Sequence, residues 1–359
     1  MKIAVPFQPR YRPRGLALIV VMVAIFVLVS LVGAFAYFMK VETRLAMNAN
    51  HETELIWLGR SGVEKARWIL AQQLTVGCEP YDSLSQMWAG GPGSACASNS
   101  ALAGVTLDGE LGGGKFTIRI IDLERKFNIN MADERLIEQA LTVVGVDGGE
   151  IPGITGAILD WIDPDDLPHI GGAESDDYQQ MDPPYYAKNR PIDDLSELLL
   201  VRGITKDMYW GSDSTNHVLA AFQKTGHFGR ADEPTYAVGL VNIFTPLSTG
   251  KINVNTAPAT TLQIIPGMDE NSAAQIIKLR SGPDGMDGTE DDTPFHNVGE
   301  LAMAVNPQLM PQLSRYCDVR SRTFAVEVNA DISGYKRTFH AILGRNSPRD
   351  VQVLSFHWD

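Results

Sequence analysis

Arg14-Gly15-Leu16-Ala17-Leu18-Ile19-Val20-Val21 opens the stretch that decides the fold. From Leu16 to Met39 the chain is uncharged and mostly apolar. As a helix rising about 1.5 Å per residue, this run is long enough to cross a hydrocarbon core about 30 Å thick. The flank before it holds Lys2, Arg10, Arg12 and Arg14 and no acid. That asymmetry predicts a cytoplasmic N-terminus, with the bulk of the chain beyond the inner membrane in the periplasm. Helical character continues past the apolar run. Met39 to Gln73 contains good helix formers, interspersed charges and no Pro.

Three readings of this N-terminus compete. A cleaved secretory signal is one, and Ala34-Phe35-Ala36 offers it a small-x-small site. The apolar run is longer than a usual signal core, however, and no helix breaker precedes that site. A plain membrane anchor is the second. The third is a prepilin-type leader of residues 1–15, cut after Gly15 so that Leu16 begins a long continuous helix. The Gly15–Leu16 junction fits the third, because a residue without Cβ allows a membrane protease to approach the backbone closely.

At this junction the sequence resembles the type II secretion pseudopilins. Most pilins and pseudopilins carry Glu at the fifth mature position, thought to pair with a neighbour's terminal amine; here that position is Val20. A subunit lacking the acid suits the first place, at the tip, and its absence is a property of the K-type minor pseudopilin family. The most specific stretches of that resemblance are Leu159-Asp-Trp-Ile-Asp-Pro-Asp-Asp166, Asp182-Pro-Pro-Tyr185, Asn189-Arg-Pro-Ile192 and Leu195-Ser-Glu-Leu198. The resemblance implies a pseudopilin fold with a large helical insert of two modules. It implies I- and J-type minor pseudopilins as partners, with the major pseudopilin and a prepilin peptidase. It also implies calcium binding.

The rest of the chain reads as α+β: a transmembrane helix packed on a small antiparallel sheet, with an inserted helical domain. After a Gly- and Ser-rich loop at about 74–113, Lys115–Asp122 alternates like a strand. Thr323–Asn329, Tyr335–Leu343 and Val351–Trp358 do the same at the far end. The expected layout is a transmembrane helix over 16–39, pseudopilin helix, loop and first strands over 40–128, the insert over 129–320 and closing strands over 321–359. Within the insert, Phe127-Asn-Ile-Asn-Met-Ala132 recurs as Ile252-Asn-Val-Asn-Thr-Ala257, suggesting two SAM-like or helix-hairpin-helix modules at about 129–210 and 251–320. A helix-hairpin-helix can hold DNA phosphate on backbone amides, but Asp269 and Glu270 at the hairpin would repel it.

Two acidic loops suit a hard cation. The first offers Asp160, Asp163, Asp165, Glu174 and Asp177; the second offers Asp284, Asp287, Glu290, Asp291 and Asp292. Pro and Gly bend both backbones, and calcium accepts six to eight oxygens in loose geometry. The bland alternative is a solvated acidic loop, and neither spacing is that of an EF-hand. The second, Gly-rich loop looks the better built of the two.

Cys78 and Cys96 flank a flexible stretch and could close it as a disulfide, worth about 3 kcal/mol in the chain-entropy model; the alternative is free thiols. Cys317 has no evident partner. A net charge of -13 argues against a nucleic-acid partner. Gly109-Glu-Leu-Gly-Gly-Gly114-Lys115 is not a P-loop, because Phe116 and a strand follow. No His-Glu-x-x-His or Gly-x-Ser-x-Gly pattern is present. The function expected is therefore assembly rather than catalysis: a minor pseudopilin at the tip of a secretion pseudopilus. The alternatives are a pilin-like DNA-uptake subunit and an anchored hydrolase.

Overall fold

The computed structural model describes residues 16–94, 97–211 and 236–358, with the side chains of Leu16 and of residues 47–50 excepted. The chain divides into two units, the first ending at Trp57 and the second spanning Leu58–Asp359.

Helix α1, Leu16–Gln73, is unbroken over 58 residues. In the first unit its apolar side chains from Leu18 to Met39 are exposed. By length and composition this is a candidate membrane span. Residues 1–15, read from the sequence as a leader ending at Gly15, lie outside the described residues, and of Leu16 only the backbone is described.

In the second unit, α1 from Leu58 to Gln73 packs on a five-stranded antiparallel sheet. The strands are β1 (Asp108–Leu111), β2 (Gly114–Asp122), β7 (Thr323–Ile332), β8 (Tyr335–Ser347) and β9 (Asp350–Trp358), in spatial order β1-β2-β7-β8-β9. Leu58, Val63, Ala66, Ile69 and Leu70 recur at helical spacing and are buried. The facing strands alternate, burying Phe116, Ile118 and Ile120 of β2 and Phe324, Val326 and Val328 of β7. Two helix glycines allow the close approach: a Cβ at Gly59 would lie 2.5 Å from the Phe339 ring, and one at Gly62 would lie 2.4 Å from Val328. The expected loop over 74–113 needs correction at its end, where β1 forms a hairpin with β2. A Cβ at Gly109 would meet the Phe116 ring at 2.3 Å, so a glycine that reads as loop in sequence is what lets the ring cover the strand.

The insert leaves at the end of β2 and returns at the start of β7. These two strands are neighbours, with Asp122 opposite Phe324 and Leu123 N donating to Thr323 O at 3.0 Å. A long insertion thus enters and leaves at one point without disturbing the sheet.

The sequence echo is a structural repeat. Short strands β3 (Phe127–Asn128) and β5 (Ile252–Asn253) pair in parallel with β4 (Phe244–Thr245) and β6 (Cys317–Asp318). Asn128 and Asn253 each accept from the amide two residues on, at 3.0 Å in both cases. Asn130 holds both backbone groups of Ile192 at 2.7 and 2.9 Å; Asn255 holds those of Phe295 at 2.9 and 2.9 Å. Helices α2 (Glu134–Val144) and α3 (Ile151–Ile162) fill the first copy, and Ala259–Leu262 and Glu270–Arg280 fill the second. Asp133 and Asp269 cap α2 and the last of these through their side chains. One continuous core, from Phe127 to Val319, is shared by both copies.

A buried polar knot joins insert and sheet. Asn253 Nδ2 donates to Asp82 O, Ser321 Oγ and Asp122 Oδ2 at 3.0, 2.8 and 3.2 Å. Arg345 pairs with Asp82, and Ser321 Oγ donates to Asp122 at 2.6 Å. Glu124 accepts from the Thr323 amide at 3.0 Å. Burial, then the neighbouring Asp122, pushes Glu124 up to about 8. A carboxyl raised in the folded state adds stability while protonated and loses it as pH rises towards the folded value. The melting temperature of the detergent-solubilised chain should therefore fall from about pH 5 to about pH 8, and Glu124→Gln should flatten that slope in thermal melts.

Candidate metal centre

The first acidic loop follows α3 and folds back onto it. Gly153 and Gly156 on the helix face Gly171 and Gly172 in the loop. A Cβ at Gly156 would sit 2.9 Å from Gly172 N, and one at Gly172 would collide with the Asp160 carboxylate. The backbone contact seals Asp160 completely from solvent. Its Oδ1 is held by the His169 amide at 2.9 Å and by His169 Nδ1 at 2.5 Å.

Around this point the carboxylates converge. Ligand atoms of Asp160, Asp163 and His169 lie within 4.8 Å of one another, as do those of Asp163, Asp165 and Glu174. Among the described residues, four buried oxygens have no hydrogen-bond partner: Asp160 Oδ2, Asp163 Oδ1 and both Oε atoms of Glu174. Burying unpartnered carboxylate oxygen is costly unless a cation or proton meets it. The same crowding shifts the protonation of these groups. Burial, then Asp160 and Asp163, pushes Glu174 up to about 7. Asp163 is raised by burial and by Asp165. His169 is raised by its hydrogen bond to Asp160, which favours the imidazolium. Asp177 is engaged elsewhere, paired with Arg202 at 3.0 Å. The arrangement offers an oxygen-rich pocket suited to a hard divalent cation.

The second loop is built differently. Asp287 receives Arg280 Nε and Nη2 at 3.0 and 2.7 Å. Asp291 accepts from the Asp284 amide and Thr289 Oγ1 at 2.9 and 2.7 Å. Asp292 accepts from Gly288 N at 2.8 Å, and Asp284 from Met286 N at 2.7 Å. These carboxylates satisfy their own loop. Glu290 joins no converging group among the described residues. Among the described residues the converging groups lie in the first stretch, whereas the Gly-rich sequence favoured the second. Two signals were available and unread, namely Arg280 placed to reach Asp287 and the paired glycines that bring a loop against α3.

Cys78 is disulfide-bonded and Cys317 is free and buried; Cys96 lies outside the described residues.

Residues 114–211 match the family model described as type II secretion system (T2SS), protein K. Among curated relatives, type II secretion system protein K of Pectobacterium carotovorum subsp. carotovorum is 31% identical over 27% of this chain and 34% of its own length. The protein of the same name from Klebsiella pneumoniae is 28% identical over 27% of this chain and 33% of its length. These two matches thus span only about a third of each relative. The protein K of Pseudomonas aeruginosa is 24% identical over 78% of this chain and 75% of its length. Among solved structures, the GspK-GspI-GspJ complex from the enterotoxigenic Escherichia coli type 2 secretion system contains a chain of like fold. That match has TM-score 0.60 at 17% identity, over 88% of this chain and 99% of that one.

Arg280 is almost fully buried and also donates to Val254 O and Ala257 O, each at 2.7 Å. Arg280→Ala strands those carbonyls and Asp287, and should cost about 3 kcal/mol of unfolding free energy in urea titration.

Proposed function

We propose that this chain is the minor pseudopilin at the tip of a type II secretion pseudopilus, where it starts assembly and supports export of folded proteins across the outer membrane. The observation that carries the reading is one helix of 58 residues, apolar and exposed at its start, that ends packed on a small sheet with a large insert between neighbouring strands. The match of residues 114–211 to protein K supports it. So does the likeness of fold to a chain solved with GspI and GspJ. In this reading Leu16–Met39 sits in the inner membrane with the bulk periplasmic, and a prepilin peptidase cuts after Gly15. Val20 leaves the chain without the acid that would receive a further subunit. The I- and J-type minor pseudopilins bind it, and the major pseudopilin continues the filament. The insert's two repeats serve as SAM-like modules for protein contact. DNA uptake is disfavoured by Asp269, whose carboxylate already occupies the start of helix Glu270–Arg280 by accepting from Ser272 N at 2.8 Å. The role is assembly, and no catalytic step is assigned.

N-terminal sequencing of the mature chain should begin at Leu16; a start after Ala36 overturns the reading. Co-expression with I- and J-type subunits should yield a ternary complex on size exclusion, which the chain bearing charge reversals across its insert surface should fail to form.

We further propose that the first loop holds calcium through Asp160, Asp163, Asp165 and Glu174, with the cation meeting the oxygens that lack partners. Calcium should raise the melting temperature relative to EDTA. Asp160→Asn with Glu174→Gln should abolish that rise, and Asp291→Asn in the second loop should leave it unchanged.

A further inference from the structure

Residues 318–323 carry the chain from insert back to sheet, and they alternate. Val319, Ser321 and Thr323 are buried, while Arg320 and Arg322 are exposed and Asp318 is half-buried. The outward residues line a cavity of about 410 Å³ that also takes Lys251 from the insert and Arg345 from β8. Four cationic side chains and one carboxylate thus line the cavity, in a chain whose net charge is -13, with Arg345 also paired to Asp82 and Arg320 Nε donating to Pro80 O at 2.5 Å. That carboxylate is partly spent, since Asp318 Oδ1 accepts from Val319 N at 2.7 Å.

Arg345 is the anchor of the cluster. Its side chain is 1% exposed. It spends Nη2 on Asp82 and on Ser321 O at 2.6 Å, yet its Nε has no partner among the described residues. The side chains of Lys251 and Arg322 have no ion-pair partner among the described residues either. Like charges gathered round a recess repel one another, and a buried donor without an acceptor is costly. An anion in the cavity relieves the repulsion, and guanidinium groups match carboxylate and phosphate oxygens in pairs.

We propose that this pocket binds a small, multiply charged oxyanion bearing carboxylate or phosphate groups. A compact ligand fits better than a long polyanion, because charges more than a screening length of about 8 Å from the cations gain little from them and meet the acidic surface of the chain instead. Its contacts would come from insert, crossover and β8 together, so occupancy would brace the insert against the sheet. The site is separate from both acidic loops.

The test uses the full chain in detergent, with sodium chloride adjusted to constant ionic strength. Inorganic phosphate and citrate are titrated separately, and melting is followed. A ligand that binds the folded state raises the melting temperature in a saturable way. A saturable rise of several degrees is expected with at least one anion. Phosphate alone would identify the phosphoryl source and citrate alone the carboxylate source. Arg322→Glu and Lys251→Glu, both outside the buried core, should each abolish the rise. Lys336→Glu, an exposed cation away from the pocket, should keep it. No saturable rise above the chloride baseline, or an equal rise in both pocket variants, would overturn the proposal.

Discussion

The structure depends on one buried polar knot where the insert meets the sheet. Asp82, Asp122, Asn253, Ser321 and Arg345 come from five separated stretches and hydrogen-bond to one another, with Arg345 Nε left without a partner among the described residues. A single Asn253 amide touches three of those stretches. Arg345 adds a stacking contact, its guanidinium 4.7 Å over the Phe324 ring. Apolar packing would hold insert and sheet together in many registers. A network of directional bonds, each costly to leave unmade, selects one. The point of attachment is also economical in chain geometry, because the insert's two ends are already neighbours in the sheet.

Beyond the knot, the insert repeats one device. Each copy begins with a two-residue strand, turns on an Asn side chain, and uses a second Asn to clamp a distant backbone segment. Each clamp secures the far end of an acidic loop. The copies then diverge in how they handle acid. In the second, Arg280 and local amides absorb the carboxylates. In the first, glycines press the loop onto α3 and leave four oxygens unmet. Similar composition therefore yields a self-satisfied loop in one copy and a group of unpartnered carboxylate oxygens in the other. The cations at the crossover add a local field of the opposite sign where the insert meets the sheet.

In the proposed assembly role, this division of labour is physically sensible. The membrane-length helix needs only apolar length, and its continuation needs only one apolar face for the sheet. The glycines at 59 and 62 bring helix and sheet close enough to exclude water. Specific recognition then falls to the insert, whose surface is free of the geometric constraints of the sheet.

Sequence by itself determined the elements whose signals are local. The apolar run after Gly15, the alternating strands from Lys115 and Thr323, and the doubled Asn-x-Asn motif could be read because helix and strand periods are written in neighbouring residues. The acidic loops were legible as loops, and Asp160, Asp163, Asp165 and Glu174 as candidate ligands. Their ranking was not legible. Whether a carboxylate faces a cation site depends on what else reaches it, and Arg280 or the Gly172 backbone reaches it only after folding. Strand β1 was missed because Gly109 signals a loop until the Phe116 ring lies over it. The knot and the cationic pocket join residues up to 263 positions apart, from Asp82 to Arg345. No local pattern encodes such contacts, so tertiary structure alone decided them.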